Sequence, residues 1–192
     1  DLGSFLNQYA PVAQRTLQDI RVQYIADDGR RFLYANPEIK YDLIFIDPLY
    51  SFTTGHNNLY SREAMALYQS HLNKGGVFCG WFNERHVIPK TAASVFPHVT
   101  KFREWLVAGN EPLHFDLEYI KSASAKYLEN STGLYTDTIT VPLDPAAIFD
   151  EHVANRECIL ANEESTPILM DTAPWLEYYY FHKPIEKRIS CP

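Results

Sequence analysis

Asp47 is the acid in this sequence best placed to do chemistry. It closes an apolar run, Leu43-Ile44-Phe45-Ile46, inside the stretch YDLIFIDPLYSFTTGHNNLYS of residues 41–61. The run is too short for a helix and rich in β-formers, so it predicts a buried strand. Pro48 cannot continue an interior strand. The carboxylate therefore stands at the carboxyl end of a strand and before a polar loop, where open α/β sheets bind their ligands. Strand-Asp-Pro is equally ordinary turn chemistry, and spacing alone does not choose between the two. His56 lies in the same loop and is a second acid–base candidate, although a whole loop separates it from Asp47. Further along, His114 with Asp116 and His152 with Glu151 lack the spacing of metal ligands. Ser51, Ser61 and Ser70 sit in no nucleophile elbow. Trp81, Trp105 and Trp175 read as core. No metal is expected.

The elements that must hold these residues follow from periodicity. Ser4–Leu17 has helical spacing with Ser4 as a cap and a break at Pro11. Ile20–Ala26 alternates and predicts a strand, closed by a turn at Asp27-Asp28-Gly29. Arg30–Asn36 predicts a short helix, and the Tyr41 strand follows. Leu59–Leu72 predicts a helix stopped by Lys74-Gly75-Gly76. Val77–Phe82 predicts a third buried strand, Asn83-Glu84-Arg85 a solvated loop, and Val87–Phe96 a helix with Pro89 in its first turn. Val99–Val107 predicts one bent strand or two. Beyond Gly109 the texture changes. Phe115–Glu129 predicts an amphipathic helix, Asn130–Pro142 turns, and Pro145–Asn155 and Arg156–Ala161 short helices. Strands joined by helices point to a mostly parallel α/β sheet. Residues 1–110 are expected to form that domain and residues 111–192 an extension packed on it.

Composition narrows the function classes. The chain has 192 residues, 46% hydrophobic and 14% aromatic, enough for a core and too much for a disordered chain. Its 17 basic and 24 acidic residues give a net charge of -7, which argues against a nucleic-acid partner. Cys79, Cys158 and Cys191 are odd in number and far apart, which suggests neither a zinc site nor a disulfide framework and fits a reducing compartment. No apolar run is long enough to span a membrane.

Several segments, taken in order, resemble the spermidine synthase-like aminopropyltransferases, in particular a divergent bacterial branch often fused to membrane transporter-like segments. They are Asp28-Gly29-Arg30 with Phe32-Leu33, then YDLIFIDP, NLYS followed by Glu63, LNKGGVF and the late DTAPWLEY. NLYS and DTAPWLEY are the more specific pieces. The order and spacing fit over roughly residues 20–106, plus the tail motif.

The resemblance implies a Rossmann-like methyltransferase-type three-layer sandwich, here lacking its first strands. It implies aminopropyl transfer from decarboxylated S-adenosylmethionine to a polyamine. Asp47 matches the carboxylate beside the attacking amine. Asp28 with Gly29 matches the place that meets the adenine amino group, and Tyr60 the place where the loop returns toward substrate. The pattern departs from the family in two ways. No second acid follows Asp47 before Glu63, and the glycine-rich turn after a first strand is absent. A methyltransferase using S-adenosylmethionine is the nearest alternative. A non-catalytic assembly or regulatory domain with a degenerate nucleoside site is the other. The expected location is cytoplasmic, with a membrane segment possible elsewhere in a parent protein. A sheet without its first strands would expose an edge, so a homo-oligomer is expected.

Overall fold

The computed structural model describes residues 19–48, 55–82, 84–102, 104–116, 118–120, 122–123 and 153–176. The chain divides into two compact units, Asp1–Ala35 and Asn36–Pro192.

In the first unit the described residues form one helix, α1 (Gly29–Ala35). Asp28 caps it: Oδ1 accepts from the Arg31 amide at 2.9 Å. The strand expected at Ile20–Ala26 does not form. Ile20, Val22, Tyr24 and Ile25 are exposed. Alternation is only a potential for strand. Among the described residues no strand pairs with it, and an extended segment without a ladder partner gains nothing from its alternation. The helix expected at Ser4–Leu17 lies outside the described residues.

The second unit is built on a five-stranded mixed sheet: β1 (Tyr41–Ile46), β2 (Leu72–Trp81), β3 (His98–Phe102), β4 (Trp105–Gly109) and β5 (Val153–Asn155). Their order is β1-β2-β4-β3-β5. Only β1 and β2 are parallel, and the other three pairings are antiparallel. This corrects the expected mostly parallel sheet. The reason is local: β3 and β4 are joined by so short a connection that only a hairpin can form. The pairings nonetheless leave β1, β2 and β3 pointing one way, with β4 turned back between β2 and β3.

The link from β1 to β2 carries α2 (Asn57–Tyr60) and α3 (Arg62–Ser70). The single helix expected over Leu59–Leu72 is broken at Ser61, whose extended backbone (φ -62, ψ 158) makes it the N-cap of α3. Lys74-Gly75-Gly76 lies inside β2 and not at a helix end. Gly75 takes φ 73 there, and a Cβ on Gly76 would stand 2.7 Å from the Tyr41 carbonyl. The register between β1 and β2 shifts at this point. A pair of glycines serves a helix stop and a strand irregularity equally well, which is why the sequence misleads here.

One face of the sheet is packed. α3 buries Ala64, Met65, Leu67 and Tyr68. α4 (Val87–Val95) buries Val87, Ile88, Ala92 and Ala93. Tyr68 stacks on Phe78 with centroids 5.3 Å apart, and Phe78 stacks on Phe96 at 5.9 Å. These rings join α3, β2 and the end of α4. The opposite face is more open. Leu43 and Phe45 of β1 are 55% and 53% exposed, with Phe45 stacked on Trp105 at 5.7 Å.

The described residues beyond 152 extend this unit. β5 adds to β3, which replaces part of the short helix expected over Pro145–Asn155. α5 (Arg156–Asn162) is capped by Asn155, and Arg156 Nε donates to the Ala93 and Phe96 carbonyls at 3.0 Å each. Cys79 is a free thiol, whereas Cys158 is disulfide-bonded. That bond runs against the reading of the cysteines as fitting a reducing compartment, because pairing depends on spatial approach and not on spacing. The helix expected over Phe115–Glu129 and the turns of Asn130–Pro142 lie largely or wholly outside the described residues. No helix among the described residues is long and apolar enough to cross a membrane.

Candidate functional site

Strands β1, β2 and β3 end on the same edge of the sheet, and of the candidate residues Asp47 stands at that edge. Asp47 follows β1 directly and is exposed. Ile46 pairs with Gly80, so Asp47 lies one step beyond the last paired residue of the parallel ladder. The neighbouring loop residues 49–54 are outside the described set.

Asp47 acts electrostatically on two groups below it. The Tyr60 phenol is pushed well above its ordinary range, chiefly by burial, then by Tyr68 and then by the Asp47 charge. The Cys79 thiol is also raised, by burial first and by Asp47 second. The Asp47 charge thus reaches both Tyr60 and Cys79, as the smaller cause of each shift. Tyr60 itself is fully buried and its hydroxyl donates to the Trp81 carbonyl. Its ring is part of the core, and its polar end is committed to the sheet.

Asp28 and Gly29 belong to the first unit. Asp28 is exposed and serves as the α1 cap, while Asp27 pairs with Arg31 at 3.5 Å. A Cβ on Gly29 would meet nothing within 4 Å. The fold therefore does not require glycine at this position, and a bare backbone there is free for close approach by a ligand.

The two most specific sequence pieces meet in space. Asn57, the residue before the NLYS segment, donates from Nδ2 to the Met170 carbonyl at 3.0 Å. Ser61 Oγ donates to Asp171 Oδ1 at 2.5 Å, and the Asp171 amide donates to Glu63 Oε2 at 3.1 Å. The Arg62 amide donates to the Leu169 carbonyl at 2.8 Å. The start of DTAPWLEY is thereby laced to the segment that follows the Asp47 loop. Glu177 and Tyr178, which end the motif, lie outside the described residues.

Glu84 was expected on a solvated loop and is instead 1% exposed. Its Oε2 accepts from the amides of His86, Val87 and Ile88 at 3.0, 2.6 and 3.1 Å. An anion belongs at the start of α4, where unpaired amides and the helix dipole both favour it. Beside it, His86 Nδ1 bonds Glu163, and Thr166 Oγ1 donates to the same carboxylate. The signal for Glu84 was an acid three residues before Val87. The Glu163 contact crosses 77 residues of chain and left no sequence trace. Asn83 lies outside the described residues. Among the described residues, no three His, Cys, Asp or Glu side chains gather as a metal site.

The arrangement offers an exposed carboxylate at the carboxyl edge of parallel strands and a tail segment bonded to the stretch that follows the loop. Such an edge can hold a cationic small molecule and accept its proton. The chain matches no protein-family model and no curated protein sequence.

Proposed function

We propose that this chain is a spermidine synthase-like domain that transfers an aminopropyl group from decarboxylated S-adenosylmethionine to a polyamine. One observation carries the reading: the exposed Asp47 carboxylate at the carboxyl end of β1, beside the parallel partner β2. The common direction of β1, β2 and β3 is compatible with the later half of a methyltransferase-type Rossmann sheet, and the lacing of NLYS to Asp171 supports the same reading.

In the proposed reaction the lone pair of a neutral amine attacks the carbon next to the sulfonium. The new C–N bond forms as the C–S bond breaks, and methylthioadenosine leaves. The amine loses one proton, which Asp47 accepts. An anionic edge favours both the sulfonium and the distal ammonium of the acceptor. For the first unit, taken by itself, the resemblance assigns Asp28 and Gly29 to the adenine.

A non-catalytic domain is the second reading. Its support is that Asp28 already caps α1 and the Tyr60 hydroxyl is already bonded to the backbone. Incubation with decarboxylated donor and putrescine, in parallel with ordinary S-adenosylmethionine and a mixture of methyl acceptors, separates the readings by product mass. Spermidine with methylthioadenosine supports aminopropyl transfer. Methylated product redirects the assignment to a methyltransferase, and no product with either donor supports the non-catalytic reading.

A further inference from the structure

We propose that the early part of β2 carries a second small-molecule site, which takes a compact ammonium ion with an apolar body. A cavity of about 400 Å³ stands there, between the sheet and the segment of residues 110–115. That volume lies within the ~300–1,000 Å³ of ligand pockets. Val77 and Val107 form its floor. Val77 and Cys79 alternate with the core residue Phe78, and Val107 pairs with Cys79, so both valines share the face turned away from α3. The place is separate from Asp47, because Ile46 pairs with Gly80 toward the other end of β2.

Local chemistry builds the cavity. At Gly109, the end of β4, a Cβ would stand 3.3 Å from Leu113 Cδ2, 3.4 Å from the Gly76 carbonyl oxygen and 3.5 Å from the Glu111 carbonyl oxygen. Glycine there lets the chain turn back this closely over the sheet. The returning segment is fixed at both ends. Asn110 Nδ2 donates to the Gln69 carbonyl at 3.3 Å, and the Phe115 ring meets Phe102 edge to face at 6.4 Å. The space beneath is therefore formed before any ligand arrives, as in most small-molecule sites. Leu113 and Phe115 give it apolar walls. On the opposite side Gly75 and Gly76 leave bare backbone, and Glu111 Oε2 lies 3.9 Å from where a Gly75 Cβ would stand. Of the lining residues Glu111 alone carries a full charge at neutral pH, and Lys74, next to Gly75, is not among them. A single carboxylate beside apolar walls and an aromatic ring selects a cation with an apolar body over an anion.

The test is a titration of the isotope-labelled full chain with phenethylammonium, read from backbone amide shifts. Saturable shifts are expected at Gly75, Gly76 and Val107. Phenylacetate, with the same ring and the opposite charge, should leave those amides in place. Glu111→Gln alters an exposed side chain and should weaken binding by about twofold to fivefold, the worth of an exposed ion pair. Val107→Trp fills the cavity and should abolish the shifts while the circular dichroism spectrum stays that of the wild type. Leu113→Ala removes an apolar wall without adding bulk and should weaken binding several-fold, which keeps the test decisive if Val107→Trp does not fold. Asp47→Asn should leave the titration unchanged, so the result stands apart from that of the transfer assay. No saturable shift in the wild type, or equal binding of phenylacetate, overturns the proposal. Binding indifferent to Glu111→Gln, or to Leu113→Ala, or retained by a folded Val107→Trp variant, overturns it too. An affinity altered by Asp47→Asn contradicts the separation of the two sites.

Discussion

Replacing Ser61 by alanine removes one hydroxyl that does two jobs. Ser61 is fully buried, accepts from the Ala64 amide at 3.2 Å and donates to Asp171 Oδ1 at 2.5 Å. Loss of an N-cap of this kind costs about 1 kcal/mol. A hydrogen bond to a charged group contributes ~1.5–3 kcal/mol, here toward the lower end because exposed Asp171 regains water. Ser61→Ala should therefore destabilise the second unit by roughly 2–3 kcal/mol. Asp171→Ala should cost about half as much, since the Asp171 amide keeps its bond to Glu63 and only the side chain is lost. The double variant should fall short of the sum by about 1 kcal/mol, the coupling expected of two residues in direct contact. Urea unfolding of the four proteins measures this, with the denaturant slope unchanged across the set. A Ser61→Ala cost within about 0.5 kcal/mol of zero, or strict additivity in the cycle, would refute the link between the NLYS segment and the tail.

Glu84→Ala strands three amides at the start of α4 and should lower stability by roughly 3–5 kcal/mol, whereas Glu84→Gln keeps an acceptor oxygen and should cost about 1 kcal/mol; thermal melts of the two variants distinguish them. Gly29→Ala places a methyl group in open space and should stabilise α1 by ~0.4–1 kcal/mol. If that backbone faces the nucleoside, the same variant should bind methylthioadenosine more weakly, and unchanged affinity in calorimetry would remove Gly29 from the site. The Asp47 charge helps to raise the Cys79 thiol, and a raised thiol holds less thiolate at a given pH. Asp47→Asn should therefore increase the rate of Cys79 alkylation by iodoacetamide at pH 8, and an unchanged rate would place Asp47 too far away to act on it.

The legible parts of the fold were those set by local chemistry. The apolar run before Asp47-Pro48 marked β1 as a strand but not as the buried strand expected, since none of its six residues is buried, and Pro89 in a first turn marked α4. Non-local features were not legible. Ile20–Ala26 has the alternation of a strand, yet a ladder needs a neighbour that alternation cannot supply. Strand direction is likewise a property of pairs, so βα alternation suggested parallel pairing until the β3–β4 hairpin imposed the reverse. Gly75-Gly76 fitted two backbone roles and took the less common one. At the site, the position of Asp47 at a strand end could be read directly. Its influence on Cys79 could not, because 32 positions separate them and only the parallel pairing of β1 with β2 brings them near. The burial of Glu84 and its neighbours His86 and Glu163 depended on α5 docking against α4, another contact between distant stretches.

The claim at the centre of this account is a nucleoside and amine site that depends on Asp47. Calorimetric titration of methylthioadenosine followed by putrescine, on wild-type protein and on Asp47→Asn, tests it most directly. The account predicts that both proteins bind the nucleoside and that only the wild type then binds the diamine. Silence toward methylthioadenosine in the wild type, or equal putrescine binding by the two proteins, would contradict it.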